Sequence, residues 1–449
     1  MIRSLLIANR GEIAVRIIRT CKLLGIRTIA VYSQADAEAL HVQLADEAVC
    51  IGPAPASKSY LHKENILQAA CASGADAIHP GFGFLSENAE FARMCEACGL
   101  IFIGPHPQAI ERMGIKTSAR DTMEEAGVPC IPGSQRLGSL EEARQEARRI
   151  GYPLLLKACS GGGGKGIRLL ESESELEQGY ETACREALAS FGDAGLFLEK
   201  YLSGCKHVEV QIAADRYGHI EHLFERDCSF QWRRQKMLEE APCALLDAPT
   251  RNALYEAAVK AARAVGYDSL GTVEFLLDGK GRFYFLEMNT RIQVEHPVTE
   301  MVTGLDLIAM QIEIAAGKPL EIQTREPLGH ALEVRLNAQD AAREFAGTAG
   351  TIDYLNLPGG AGVRVDAGIT QGTAVLPFYD SMLAKIIVHG KDRAECLVRM
   401  KSALEEVIVE GIPVNDEFLY RVLDEPEFRA GTYDIQFAAT AYERWKENA

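Results

Sequence analysis

The sequence predicts a multi-domain chain of α/β and α+β class, with a doubly wound N-terminal domain, a second block built around a glycine-rich lid, and a third, mixed β block. Three observations carry this. Strand-like and helix-like runs alternate from Leu5 to Ile103. Beyond a proline-rich joint (Val128-Pro129-Cys130-Ile131-Pro132-Gly133), the strand-like Leu154-Leu155-Leu156-Lys157 runs into four consecutive glycines, Gly161 to Gly164. Near the C-terminus, His330 to Asn337 alternates polar and apolar with a period of two. At 449 residues, the length allows about three domains of roughly 150 residues each.

In chain order, Leu5 to Ala8 is a short apolar strand, punctuated by Asn9-Arg10-Gly11. Ile13, Ile17, Ile18, Cys21 and Leu24 then recur at helical spacing before Gly25, and the β-branched run from Ile26 to Tyr32 follows. Strand, helix, strand implies a parallel pair with a right-handed crossover. The alternation continues through a strand at Ala48–Ile51, a helix at Lys63–Ala72, a strand at Ala77-Ile78, a helix from Glu87 to Cys98 and a strand at Ile101–Ile103. No GxGxxG follows the first strand, which argues against dinucleotide binding. Ser86, in His79-Pro80-Gly81-Phe82-Gly83-Phe84-Leu85-Ser86-Glu87-Asn88, is placed to cap the next helix. In the third block Glu333, Arg335 and Asn337 should share one face.

Hydrophobic residues at 47% and charged residues at 24% are those of a soluble globular protein, which excludes disordered and collagen-like classes. A net charge of −16 repels phosphate backbones and anionic lipids, so neither nucleic acid nor membrane is an expected partner. No segment has the apolar length of a membrane helix, and the run at Leu5–Ala8 is too short for a signal peptide. Twelve irregularly spaced cysteines, several inside apolar runs, read as reduced thiols of a cytoplasmic protein, and Cys95 and Cys98 as helix residues rather than a redox pair.

The chemistry concentrates in the second block. A glycine run ending in Lys165 can wrap phosphate oxygens, but Gly166 stands where a P-loop requires Ser or Thr. Thr272–Leu277 and Arg282–Asn289 read as a hairpin across Asp278 to Gly281. With Lys280-Gly281 as a two-residue loop, Glu274 faces Glu287 and shares a face with Asn289. Two opposed carboxylates and an amide oxygen are hard ligands suited to Mg²⁺ shared with nucleotide phosphates. Arg291, Gln293 and Glu295 alternate, so an extended chain points all three to one side, where a guanidinium can hold an oxyanion and a carboxylate can take a proton. Arg226 to Lys236 gathers cations in an acidic protein, either as a surface cluster or as an anion pocket.

GFGFLSEN, KACSGGGGKG, RDCS…QK…EEAP, GTVEF, FLEMNTRIQVEHPVTE and YDSM, in this order over nearly the whole chain, closely resemble the biotin carboxylases, the ATP-grasp components of acetyl-CoA carboxylase and related enzymes. The resemblance implies an N-terminal domain at 1–113, an ATP-grasp domain at 114–317 with a lid at about 131–202, and a biotin carboxylase C-terminal domain at 318–449. It carries nucleotide binding onto Lys116, Lys157, Gly163, Gly164, the hinge Glu199-Lys200-Tyr201-Leu202, His207 and Glu209, with Arg234 beside the phosphates. It puts Mg²⁺ or Mn²⁺ on Glu274, Glu287 and Asn289, and bicarbonate on Lys236, Arg291, Gln293 and the backbone of Val294, with Glu295 as general base.

The reaction implied is attack of deprotonated bicarbonate on ATP to give carboxyphosphate, then carboxylation of a biotin enolate stabilised by Arg335. The family usually has Arg and His at Trp232 and Arg234, Asp at Ile115, Ser-Gly at Cys159-Ser160, and a Pro-Ser within 344–350. These departures touch nucleotide affinity, the lid and the partner, and suggest a divergent paralogue. No Met-Lys-Met attachment motif occurs and the length leaves no room for a fused carrier, so biotin is expected on a separate carboxyl carrier protein, with separate carboxyltransferase subunits. A homodimer is the family expectation. The competing readings are another ATP-grasp ligase and a catalytically degenerate, nucleotide- or carrier-binding regulatory subunit.

Overall fold

Residues 2–159, 167–322 and 326–448 are described by a computed structural model. The first strand, Ser4–Ile7, is buried throughout, as a central parallel strand covered by helices on both faces must be. It lies between Arg27–Ser33 and Ala77–His79 in a five-stranded sheet completed by Glu47–Gly52 and Ile101–Phe102 at the edges, all parallel. The helix Gly11–Leu23 presents Ile13, Ile17, Ile18 and Cys21 to this sheet. Leu24, expected on the same apolar stripe, is instead the C-cap and 41% exposed. The helix expected from Glu87 spans Ala89–Ala97, and its cap is Asn88, whose side chain accepts from the Phe91 N–H at 2.8 Å. Ser86 lies two residues too early to cap it and is buried, its hydroxyl without a partner.

A second sheet of eight antiparallel-paired strands joins what the sequence reads as separate blocks. Its order is Phe283–Asn289, Leu270–Leu277, Lys206–Ala214, Ile220–Trp232, Gln235–Ala241, His330–Asn337, Met382–Gly390, Val363–Ala367. The joint is the pairing of Gln235–Ala241 with His330–Asn337, Leu238 opposite Val334 and Glu239 opposite Glu333. A core of Phe230, Leu238, Val334, Ile386, Phe418 and Tyr442 backs the C-terminal half.

The strands flanking the glycine run, Leu154–Ala158 and Ile167–Leu170, pair antiparallel with Lys157 opposite Ile167, the two arms of a hairpin. With Leu196–Lys200 they form a three-stranded sheet with its own small core, including Leu154, Leu156, Leu170 and Leu198. Gly163, Gly164 and Lys165 lie outside the described residues. All twelve cysteines are free; Cys95 is buried in its helix and Cys98 exposed at its C-cap. Among the described residues no helix is long and apolar enough to cross a membrane.

Candidate active site

A cleft of about 1240 Å³ is lined by strand residues of the eight- and three-stranded sheets and, from the N-terminal part, by the loops that follow its strands and the start of the helix Gly11–Leu23. On the Thr272–Leu277 side, Glu274 does face Glu287, but not through a two-residue loop. The strands turn through a wider loop closed by Asp278 N–H to the Arg282 carbonyl at 2.8 Å, and a bulge between Glu274 and Phe275 restores the pairing of the carboxylates. Burial, with the charge of Glu274 adding to it, raises the Glu287 carboxyl, partly offset by Lys116.

Glu274 gathers three hydrogen bonds on one oxygen. Its Oε1 accepts from Asn289 Nδ2 at 2.8 Å, Gln293 Nε2 at 3.0 Å and Lys236 Nζ at 3.1 Å. His207 Nε2 lies 2.8 Å from its Oε2. The amide of Gln231 donates from one nitrogen to the Cys228 carbonyl and to His207 Nδ1, both at 2.8 Å, which puts the His207 proton on the nitrogen facing Glu274. Burial alone raises Glu274, but Lys236 and His207 outweigh it and hold the carboxyl well below its ordinary range.

Lys236 is the hub. Its three N–H donors meet three carboxylates: Glu209 and Glu295 at 2.6 Å each, and Glu274. Burial works against the ammonium, yet Cys228 and the surrounding carboxylates push it well above its usual range. Glu295 bonds through its other oxygen to Arg335 Nη2 at 3.0 Å, and Arg335 Nε donates to Glu239 at 2.6 Å. Glu295 is fully buried; Lys236, Arg335 and Arg226 outweigh that burial and keep it ionised far below the ordinary carboxylate range.

The segment carrying Arg291, Gln293 and Glu295 is not extended. It bends at Thr290-Arg291 and turns at Val294-Glu295 into the helix His296–Thr303, for which Glu295 is the N-cap position. The three side chains converge through hydrogen bonds instead. Arg291 donates to Glu87, Asn289 and Gln293 at 2.9 Å each, and to the Ile292 carbonyl at 3.2 Å.

The expected basic cluster divides in two. Arg226 is fully buried and spread over Glu209, Gln211, Thr272 and Thr299, a structural strut rather than a surface cation. Arg233 and Arg234 form the tip of the hairpin between Ile220–Trp232 and Gln235–Ala241, both at positive φ (49° and 70°) as a type I′ turn demands. Both line the cleft mouth.

On the lid side Lys157 is ion-paired with Glu199, and both are buried. Lys116 opens the helix Lys116–Glu125, and burial lowers its ammonium, opposed by Glu287. Ile115 occupies that helix's N-cap without a side-chain hydrogen bond and is 47% exposed. All four hinge residues, Glu199 to Leu202, line the cleft, and the Lys200 ammonium bonds the carbonyls of Gly151 and Tyr152 at 2.8 Å.

Models of three families match the chain in succession: the biotin carboxylase N-terminal domain over residues 1–110, the ATP-binding domain of the carbamoyl-phosphate synthase L chain over 116–323, and the biotin carboxylase C-terminal domain over 333–440. Biotin carboxylase 1 of Bacillus subtilis is 52% identical over 444 residues, 98% of this chain and 99% of its own. The chain belongs to the biotin carboxylase family.

Membership as a biotin carboxylase makes it an ATP-dependent carboxylase with the family's N-terminal, ATP-grasp and C-terminal domains. The 2-oxoglutarate carboxylase small subunit of Hydrogenobacter thermophilus is 47% identical, over 97% of this chain and 93% of its own. The biotin carboxylase domain dimer of that enzyme, in complex with MgADP, ADP and bicarbonate, superposes with a TM-score of 0.96 at 46% identity, covering 98% of this chain and 99% of the other.

Sequence reasoning missed Glu239, Lys385 and Asn415. Asn415, fully buried, donates to the Arg335 carbonyl at 3.0 Å and accepts from the Asn337 N–H at 2.8 Å, so it staples the strand that carries Arg335. Glu239 stood in the EEAP motif with no role attached, and Lys385 is a lone cation in the apolar run Leu383–Val388; both were visible signals.

Proposed function

We propose that this biotin carboxylase uses ATP and bicarbonate to carboxylate biotin on a separate carboxyl carrier protein. The acceptor downstream is an acyl-CoA, first acetyl-CoA for fatty acid synthesis, handled by separate carboxyltransferase subunits in the cytoplasm. The observation that carries the reading is Lys236 bonded at once to Glu209, Glu274 and Glu295, with Glu295 bridging on to Arg335. This joins an ionised base, an anion-holding ammonium and a guanidinium beside a carboxylate pair.

In this reading Lys116 and Lys157 hold nucleotide phosphates, Glu199 to Leu202 receive the adenine, His207 and Arg234 border the phosphates, and Gly163 and Gly164 contribute to nucleotide binding as the resemblance implies. Glu274, Glu287 and Asn289 suit a hard divalent cation, because all three offer oxygen and the opposed carboxylates otherwise repel. Mg²⁺ or Mn²⁺ there supplies charge neutralisation to the transferring phosphoryl group. Bicarbonate takes the place of protein partners on Lys236, Arg291 and Gln293 and at the N–H of Val294. Glu295 accepts its proton, which requires the ionised form that Lys236 and Arg335 enforce. The resulting dianion attacks the γ-phosphate to give carboxyphosphate and ADP. Carboxyphosphate breaks down to CO₂ and phosphate, the phosphate takes the N1′ proton of biotin, and Arg335 holds the enolate that attacks CO₂.

The same reading divides the chain at 1–113, 114–317 and 318–449, with the lid at about 131–202, and makes it a homodimer like its Hydrogenobacter relative. The test is ADP release by the purified chain with Mg-ATP and bicarbonate, with and without biotin or a biotinylated carrier. Bicarbonate-dependent release stimulated by either biotin source is the expected result. Release indifferent to both, in protein that binds ATP, overturns the reading in favour of a regulatory subunit.

A further inference from the structure

Lys385 is fully buried in the strand Met382–Gly390, among the apolar Leu383, Ala384, Ile386, Ile387 and Val388. It sits directly opposite Arg335 on one neighbouring strand and Asp366 on the other. Two cations facing each other weaken a sheet, and a buried ammonium is costly without partners. Asp366 is already engaged by Arg364 at 2.6 Å. The partners that Lys385 reaches lie in other parts of the chain: the Val294 carbonyl at 2.8 Å and Glu12 Oε1 at 3.2 Å. Glu12 comes from the first turn of the helix Gly11–Leu23, which borders the same cleft as Val294.

Val294 stands between Gln293 and Glu295, and each of these side chains is tied to the central sheet, Gln293 to Glu274 and Glu295 to Lys236. Lys385 ties the intervening backbone to the C-terminal part of that sheet. A carbonyl held in one direction fixes the peptide plane it belongs to, here the plane that joins Val294, a cleft-lining residue, to Glu295.

We propose that Lys385 is a positioning residue for the bicarbonate subsite, pinning the Val294 carbonyl so that the Val294 N–H and the Glu295 carboxylate are aimed together. This assignment rests on the reading of Val294 and Glu295 as bicarbonate ligand and base.

The experiment compares Lys385→Met, Lys385→Arg and Glu295→Gln with the parent chain in biotin-dependent ADP release, varying bicarbonate and ATP separately. Misplacement of a binding group by about 1 Å costs up to about a hundredfold, so Lys385→Met should raise KM for bicarbonate by about ten- to a hundredfold. KM for ATP should move by less than about twofold, because the lost interaction is confined to one subsite. Lys385→Arg, which keeps a donor toward Val294, should recover part of the loss. An unchanged bicarbonate KM, or equal rises in both KM values, overturns the assignment. If Lys385→Met shows no cooperative melting, Glu12→Gln/Lys385→Met, which removes both buried charges, is read by the same criteria. If Glu295→Gln keeps full bicarbonate-dependent turnover, the subsite reading fails. If it loses turnover while Lys385→Met keeps its bicarbonate KM, the Lys385 assignment alone fails.

Discussion

The indole of Trp232 packs on the ring of Phe345, centroids 4.9 Å apart, so two places where the sequence reading expects a departure from the family pattern touch each other. Arg233 beside the first is ion-paired with Glu344 beside the second, and all of Arg233, Arg234, Glu344 and Phe345 hold positive φ. The aromatic cluster, extended by Tyr442 at 4.6 Å from Trp232, secures the hairpin tip that carries Arg234 to the cleft. Trp232→Ala should destabilise by about 2–3 kcal/mol, below the full range for a wholly buried ring because Trp232 is half-buried. In a double-mutant cycle with Phe345→Ala, denaturant melts should return a coupling of about 1 kcal/mol. Additive losses would mean that the two departures are independent.

Ile115 stands at the N-cap of the helix that Lys116 opens, where an apolar side chain leaves the helix N–H groups without a bond. Ile115→Asp, which restores a capping side chain at an exposed site, should raise stability by about 1 kcal/mol in thermal or urea melts. No gain would show that solvent already satisfies those groups.

Replacing Glu295 by Gln keeps the shape and an acceptor for Lys236 but removes the base. Bicarbonate-dependent turnover should fall by about 10² to 10⁴-fold while binding of an ATP analogue persists. Retained turnover would take the proton-accepting role away from Glu295.

Arg335 bridges Glu295 and Glu239 rather than touching the Glu274–Glu287 pair. Arg335→Ala should therefore leave ATP binding near normal, measured by calorimetry, and reduce carboxybiotin formation by more than about a hundredfold. Carboxybiotin formed at the parent rate would remove Arg335 from the enolate step.

Glu239 is raised from an ordinary 4.5 to about 7, chiefly by burial, with Arg335 opposing and the charge of Glu295 adding. Between these values the folded protein retains a proton that the unfolded chain has released, so this group's contribution to stability declines as pH rises toward about 7. Glu239→Gln keeps an oxygen for Arg335 and lacks that titration. The melting temperature of the variant minus that of the parent should grow from about pH 5 to about pH 7; a constant difference would mean that Glu239 stays ionised across the window.

Much of the site was legible because local sequence dictates it. The Glu274–Glu287 opposition follows from hairpin pairing, and the five parallel strands follow from alternating apolar runs and helical stripes. Local signals erred where a longer-range bond chose differently. The loop after Thr290 bends because Arg291 is drawn to Glu87 and Gln293 to Glu274, whereas at the first cap the choice was local, Asn88 standing two residues nearer its helix than Ser86.

By itself the sequence determined the elements, the family and the residue types of the site, because periodicity and motif spacing are properties of neighbours along the chain. Only the tertiary structure decided that Gln235–Ala241 pairs with His330–Asn337, which brings Arg335 and Lys385 from the C-terminal block to the two sides of Val294-Glu295. That pairing joins strands nearly a hundred residues apart, and it is selected by burial of the shared core around Leu238, Val334 and Ile386, a collective property that no local pattern encodes.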